Sequence, residues 1–136
     1  FIHILKNRDG LSSTSILGLD STITAYDHCH DWLDQLNQYL DKNILLVKKF
    51  IQEQLPELTV VDAQATYLLW IDCSKLPFTM KQLQSALIHQ GKVAIMDGST
   101  YGESEKKFLR LNIGCSKEKL LDGLKRLKVS IDYLKQ

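Results

Sequence analysis

Cysteine is scarce in this chain. Cys29, Cys73 and Cys115 are an odd number and show no C-x-x-C spacing. That excludes a secreted disulfide framework and fits a reducing, cytoplasmic compartment. Neither sign of charge is in excess: Lys+Arg 17 stand against Asp+Glu 16, for a formal net charge of +1. Nucleic acids and anionic membrane surfaces call for a concentrated basic patch, so neither is an expected partner. The short lysine clusters, such as Lys48-Lys49, lie near acids or on faces that read as solvated. No apolar run is long enough for a membrane-spanning helix. Phosphate-cradling G-x-G-x-x-G and Walker-type loops are missing, and so is the G-x-S-x-G nucleophile turn. There is no signal peptide and no initiating Met; the chain opens in "FIHILKNRDG", which reads as the end of an amphipathic helix stopped by Gly10. The expectation is a piece of a longer protein.

What is present is 136 residues of ordinary globular composition, 44% hydrophobic, enough to bury a core without metal or disulfide staples. "LSSTS" is a hydroxyl-rich stretch able to cap a helix through "ILGLDSTITAYDHC". The strongest helical signal is "HDWLDQLNQYLDKNILLVKKFIQEQL", where Leu33, Leu36, Leu40, Val47, Phe50 and Ile51 share one stripe and Pro56 forces a stop. The period then changes to two. "LTVVDA" and "ATYLLWIDC" read as strands joined tightly around Asp62 to Ala65. Thr79 reads as the cap of a helix "MKQLQSALIHQG" closed by Gly91, "KVAIMDG" as a third strand, and "KFLRLNIGC" as a fourth. Ser116 caps a final helix with acids early and bases late, as the helix dipole prefers. This order predicts an α+β fold: a small, mostly antiparallel sheet of three to four strands covered by helices, one of them long.

Few side chains suggest chemistry. His28, Cys29 and His30 are dense in potential ligands, but alternate residues on a helix point apart, so a helix terminus or a junction between two helices is the plainer reading. His3 and His89 stand alone, and Cys73 and Cys115 read as small buried hydrophobes at strand ends. "GSTYG" reads as an exposed loop. Arg110 is different. Strand alternation puts Phe108, Arg110 and Asn112 on one face and Leu109, Leu111 and Ile113 on the other. A guanidinium on a rigid strand beside an amide suits bidentate capture of a carboxylate. The same pattern also fits a surface arginine on a solvated sheet face.

Taken in order, "HDWLDQLNQYLDKN", "TYLLWIDC" and "GSTYG…FLRLNIGCS…L…GLKRLK" resemble one family over nearly the whole chain. It is the carboxy-terminal part of the pyridoxal-phosphate-dependent cystathionine β-lyase/C–S lyase group of MalY/PatB type, within the class I/II aminotransferase-like enzymes of fold type I. The resemblance implies that residues 1–28 connect from a large domain and that residues 29–136 form the small domain. It implies that Arg110, in "R-L-N", pairs with the α-carboxylate of an amino-acid substrate, with Asn112 orienting it and Tyr101 covering the substrate. In a parent enzyme, expected to be a homodimer, a sulfur amino acid would lose its Cβ–S bond to give a thiol, pyruvate and ammonia. Two departures stand out: Ala65 replaces a customary glycine and Asp97 a customary proline. The lysine that holds pyridoxal phosphate in such enzymes has no counterpart here, since Lys6 lies past that motif. The chain alone is therefore expected to bind no cofactor and no metal and to be inactive. The same domain from an aminotransferase, or a non-catalytic interaction module, are the alternatives.

Overall fold

The computed structural model describes residues 15–102 and 107–136. The helix end expected in "FIHILKNRDG", together with His3, Lys6 and Lys106, lies outside them. The chain divides into two compact units between Asn37 and Gln38. In the first, helix α1 spans Ile16–His28 and buries no residue. Cys29 ends α1, and helix α2, His30–Gln54, starts at once. The His-Cys-His cluster is thus a junction between two helices, and no group of three potential metal ligands occurs among the described residues.

The second unit holds the sheet. Strands β1 (Thr59–Val60), β2 (Leu68–Asp72), β3 (Met96–Asp97) and β4 (Phe108–Asn112) lie in the order β1-β2-β4-β3. Every pairing is antiparallel, and β2 meets β4 over its full length, from Leu68↔Asn112 to Asp72↔Phe108. Helix α3 (Met80–Ala86) and helix α4 (Lys117–Leu134) complete the α+β fold. Alternation does what the pattern predicts. Leu69, Ile71, Leu109 and Leu111 turn inward and pack with Val47, Ile51, Leu124 and Ile131. Each such side chain removed from water stabilises the fold by about 1.5–3 kcal/mol.

The caps follow local chemistry. Thr79 and Gln82 form a reciprocal capping box, and Ser116 Oγ accepts from Lys119 N. The buried Asn43 of α2 donates through Nδ2 to the carbonyls of Ile113 (2.9 Å) and Cys115 (3.2 Å). Tyr39 donates to the Cys115 carbonyl and accepts from Lys117 N. A single helical turn of α2 therefore fixes the bend between β4 and α4.

Several elements depart from expectation. β1 keeps only Thr59–Val60 of "LTVVDA", and β2 begins at Leu68 rather than Ala65, so their connection is longer than Asp62 to Ala65. Two further differences have a visible cause. The helix after Thr79 does not run regularly to Gly91; α3 stops at Ala86 and a π turn takes over from Leu87 to Gly91. Gly91 is needed there for space rather than for a left-handed stop. A Cβ on it would sit 2.2 Å from Ser130 Oγ and 2.6 Å from the Arg126 carbonyl oxygen. The left-handed residue is Lys92, at φ 51°. The third strand is shorter than "KVAIMDG" because Gln84 Nε2 donates to the Ile95 carbonyl at 3.0 Å. That carbonyl is taken by α3, so pairing with β4 begins only at Met96.

Candidate functional site

Arg110 sits at the middle of β4, with a strand on each side. Its direct neighbours across the sheet are Trp70 on β2 and Met96 on β3. Residues facing each other in this way lie about 5 Å apart at Cβ, so the three side chains form a row on the outer face. Tyr101 joins them from beyond β3. The segment Gly98–Tyr101 winds into one 3₁₀ turn, with the Asp97 carboxylate accepting from Ser99 N at 2.9 Å. The turn can lie flat on the sheet because residue 98 has no side chain. A Cβ there would meet Phe108 Cβ at 2.8 Å and Trp70 Cζ3 at 2.9 Å.

The turn brings the Tyr101 ring over the guanidinium, whose central carbon lies 4.1 Å from the ring centroid. Trp70 meets Tyr101 edge to face at 5.8 Å and Phe108 in the same manner at 6.2 Å. The guanidinium donates through Nη2 to Met96 Sδ at 3.0 Å, and the Tyr101 hydroxyl donates to the same sulfur at 3.3 Å. Among the described residues no carboxylate forms an ion pair with Arg110. The planar fork is therefore oriented by a π face and a thioether, both weak partners for it. Two open hollows meet at Arg110. One, of about 350 Å³, is lined by Asp62, Gln64, Thr66 and Trp70. The other, of about 380 Å³, is lined by Met96, Asn112, Cys115 and Lys119.

The structure brings Arg110 and Tyr101 together. It places Asn112 two residues along the same face, where its Oδ1 accepts from Gly114 N at 2.8 Å. That bond shapes the bend after β4. Trp70 and Met96 did not stand out in the sequence as site residues. The usable signal was the pairing register: once β2 and β3 flank β4, the residues opposite Arg110 follow. Both departures from the family pattern are accommodated. Asp97 adopts φ −68°, the angle a proline ring would impose. The left-handed residue of the β1–β2 connection is Thr66, at φ 68°, and not Ala65.

The other candidates are quiet. Cys73 is fully buried, and burial, with Asp72 adding to it, pushes its thiol up to about 12. Cys115 and Cys29 are half-buried and unpaired, and His89 is exposed on the π turn. No lysine among the described residues is buried. A lysine that holds an aldehyde cofactor must shed its proton, which burial promotes and exposure does not. Arg110, a cation with no carboxylate partner among the described residues, has the chemistry to take an anionic group.

Comparison with known proteins identifies the family. Protein MalY of Escherichia coli (strain K12) is 45% identical over 124 residues, covering 91% of this chain and 32% of MalY. Cystathionine beta-lyase PatB of Bacillus subtilis (strain 168) is 34% identical over 124 residues, with the same coverage of 91% and 32%. Cystalysin of Treponema denticola, solved with a pyridoxal 5′-phosphate cofactor, superposes with a TM-score of 0.83 at 28% identity. That match covers 98% of this chain and 34% of cystalysin. The PLP-bound C–S lyase of Staphylococcus hominis gives a TM-score of 0.78 at 25% identity, covering 93% and 34%. The chain thus spans about a third of the length of the curated relatives it matches. Residues 2–127 match the family described as Aminotransferase class I and II, and the chain belongs to that family.

Proposed function

We propose that this chain is the carboxy-terminal small domain of a pyridoxal-phosphate-dependent C–S β-lyase acting on sulfur amino acids, and that Arg110 binds the substrate's α-carboxylate. Residues 1–28 are assigned to the connection from a large domain and residues 29–136 to the small domain itself. The observation that carries the reading is the Arg110 fork, stacked on Tyr101 and hydrogen-bonded only to the Met96 sulfur among the described residues. A carboxylate offers two strong acceptors in the plane of that fork, so it displaces a thioether readily. The names of PatB and of a Corynebacterium glutamicum cystathionine beta-lyase, 34% identical over 126 residues, support the sulfur chemistry.

Pyridoxal phosphate, when bound, supplies the electron sink for a carbanion at the α-carbon. This chain's residues do the positioning. Arg110 fixes the acid end, so the Cα–H bond takes one orientation, and such alignment lowers a barrier without any covalent step. Tyr101 and Trp70 line the site with aromatic surface, and the Tyr101 ring covers one face of the guanidinium. Asn112 supports the strand end beside it. Covalent attachment of the cofactor is assigned to protein outside the described residues. On the reading that the cofactor's lysine belongs to the large domain, the 136-residue chain alone is inactive, and pyridoxal phosphate added to it gives the spectrum of the free aldehyde. The parent enzyme is assigned to the cytoplasm as a homodimer; no helix among the described residues is long and apolar enough to cross a membrane.

The test is Arg110→Ala and Arg110→Lys in the full-length enzyme. Loss of a desolvated charge pair costs about 2–5 kcal/mol, so kcat/KM for cystathionine should fall by about 30-fold to several thousand-fold. The cofactor's absorbance should stay as in the wild type. Wild-type kcat/KM in Arg110→Ala would overturn the assignment. A second reading, aminotransferase, is favoured by an Aquifex aeolicus relative named "Probable aspartate/prephenate aminotransferase", 31% identical over 85 residues. Turnover that requires a keto acid as second substrate would select it.

A further inference from the structure

We infer that Met96 is a site of oxidative modification, whose sulfoxide takes over the donors of Arg110 and Tyr101 and so closes the carboxylate site. The argument begins from a mismatch. A guanidinium is among the strongest donors in a protein and a thioether among the weakest acceptors. Yet Met96 Sδ receives both Arg110 Nη2, at 3.0 Å, and the Tyr101 hydroxyl, at 3.3 Å. The cross-strand pair Met96↔Arg110 holds the sulfur in place, and Met96 is 46% exposed, so a small oxidant reaches it.

Oxidation changes this arrangement at one atom. A sulfur lone pair attacks the distal oxygen of a hydroperoxide, an S–O bond forms and the O–O bond breaks. The departing oxygen takes up the proton and leaves as water or an alcohol. Sulfur is oxidised by two electrons and the peroxide is reduced by two. The new sulfoxide oxygen is a strong acceptor, and two donors already converge on the sulfur that carries it. Arg110 then has a covalently tethered acceptor where a carboxylate would bind. Thiol-dependent sulfoxide reductases reverse the step.

The chain carries its own control. Its other methionine, Met80, opens α3, packs against the hydrophobic core and has no such pair of donors. The consequence for substrate rests on Arg110 being the carboxylate clamp; the oxidation and the rearrangement of Arg110 do not.

The experiment uses the 136-residue chain with ¹⁵N-labelled arginine, treated with hydrogen peroxide and followed by peptide mass and by the Arg110 Nε–Hε resonance. Met96 should gain one oxygen several-fold faster than Met80. The Arg110 resonance should shift and exchange more slowly with water, then return after sulfoxide reductase. The nearly isosteric Met96→Leu should show neither change, and the oxidation–reduction cycle on the wild type gives the same test without a substitution. An unmoved Arg110 resonance in a chain fully oxidised at Met96, or equal oxidation rates at the two methionines, would overturn the inference. Acetate, titrated before and after oxidation, separates the two readings. Affinity should fall about ten-fold or more on oxidation, the loss of roughly one charge-assisted hydrogen bond. Equal affinity in both states refutes closure. Acetate that fails to move the resonance before oxidation refutes the clamp and leaves the sulfoxide capture to be judged by its own shift.

Discussion

A guanidinium carries its charge at every pH a cell meets, so Arg110 needs an electrostatic reason to sit at the centre of a sheet. The outer face supplies one: the Tyr101 ring, the Met96 sulfur and two hollows that a carboxylate can enter. Cys73 shows the opposite treatment of an ionisable group. Its thiol ionises at about 12 in the folded chain because it is buried, while an unfolded thiol ionises near 8.5. Between about pH 9 and pH 12 the unfolded state binds fewer protons than the folded one, so stability falls as pH rises. Thermal melts should show this alkaline loss in the wild type and a shallower one in Cys73→Ala. The face that carries Arg110 was legible in "FLRLN" from alternation alone. Its partners were not, because Trp70 and Met96 reach it only through strand pairing, and pairing register is a long-range property.

Among the elements, α2 and α4 were readable almost to their ends, because a long amphipathic stripe, a proline and a serine cap each act locally. The edge strands were not. β3 is cut short by a hydrogen bond from Gln84, a residue of a different element. The π turn after α3 was equally hidden, since it exists to bring Gly91 against α4. Gly91→Ala should therefore force the Arg126 carbonyl and Ser130 aside and cost about 1–3 kcal/mol, the range for overpacking, measured by urea denaturation. Asn43→Ala should cost about 1–3 kcal/mol as well, by leaving the Ile113 carbonyl without its side-chain donor and the Cys115 carbonyl with the Tyr39 hydroxyl alone. Asn43→Ala should also raise KM in the full-length enzyme, because the end of β4 that it braces carries Asn112.

For the whole molecule, the salient surface is apolar and belongs to α1. Ile16, Leu17, Leu19, Ile23 and Tyr26 are all more than half exposed, and nothing in the helix is buried. Apolar surface in such a run drives association in water. The 136-residue chain should show concentration-dependent association in sedimentation velocity, and serine at Ile16, Leu17 and Ile23 should restore a monomer. A strictly monomeric wild type at high concentration would contradict this. One last consequence concerns light rather than binding. The chain has two tryptophans: Trp32 is 64% exposed, whereas Trp70 stands edge-on to the tyrosine that covers Arg110. With Trp32 replaced by phenylalanine, the remaining emission comes from the indole beside the guanidinium. The protein carries a built-in lamp, and any anion that lifts Tyr101 will dim or brighten it without a label.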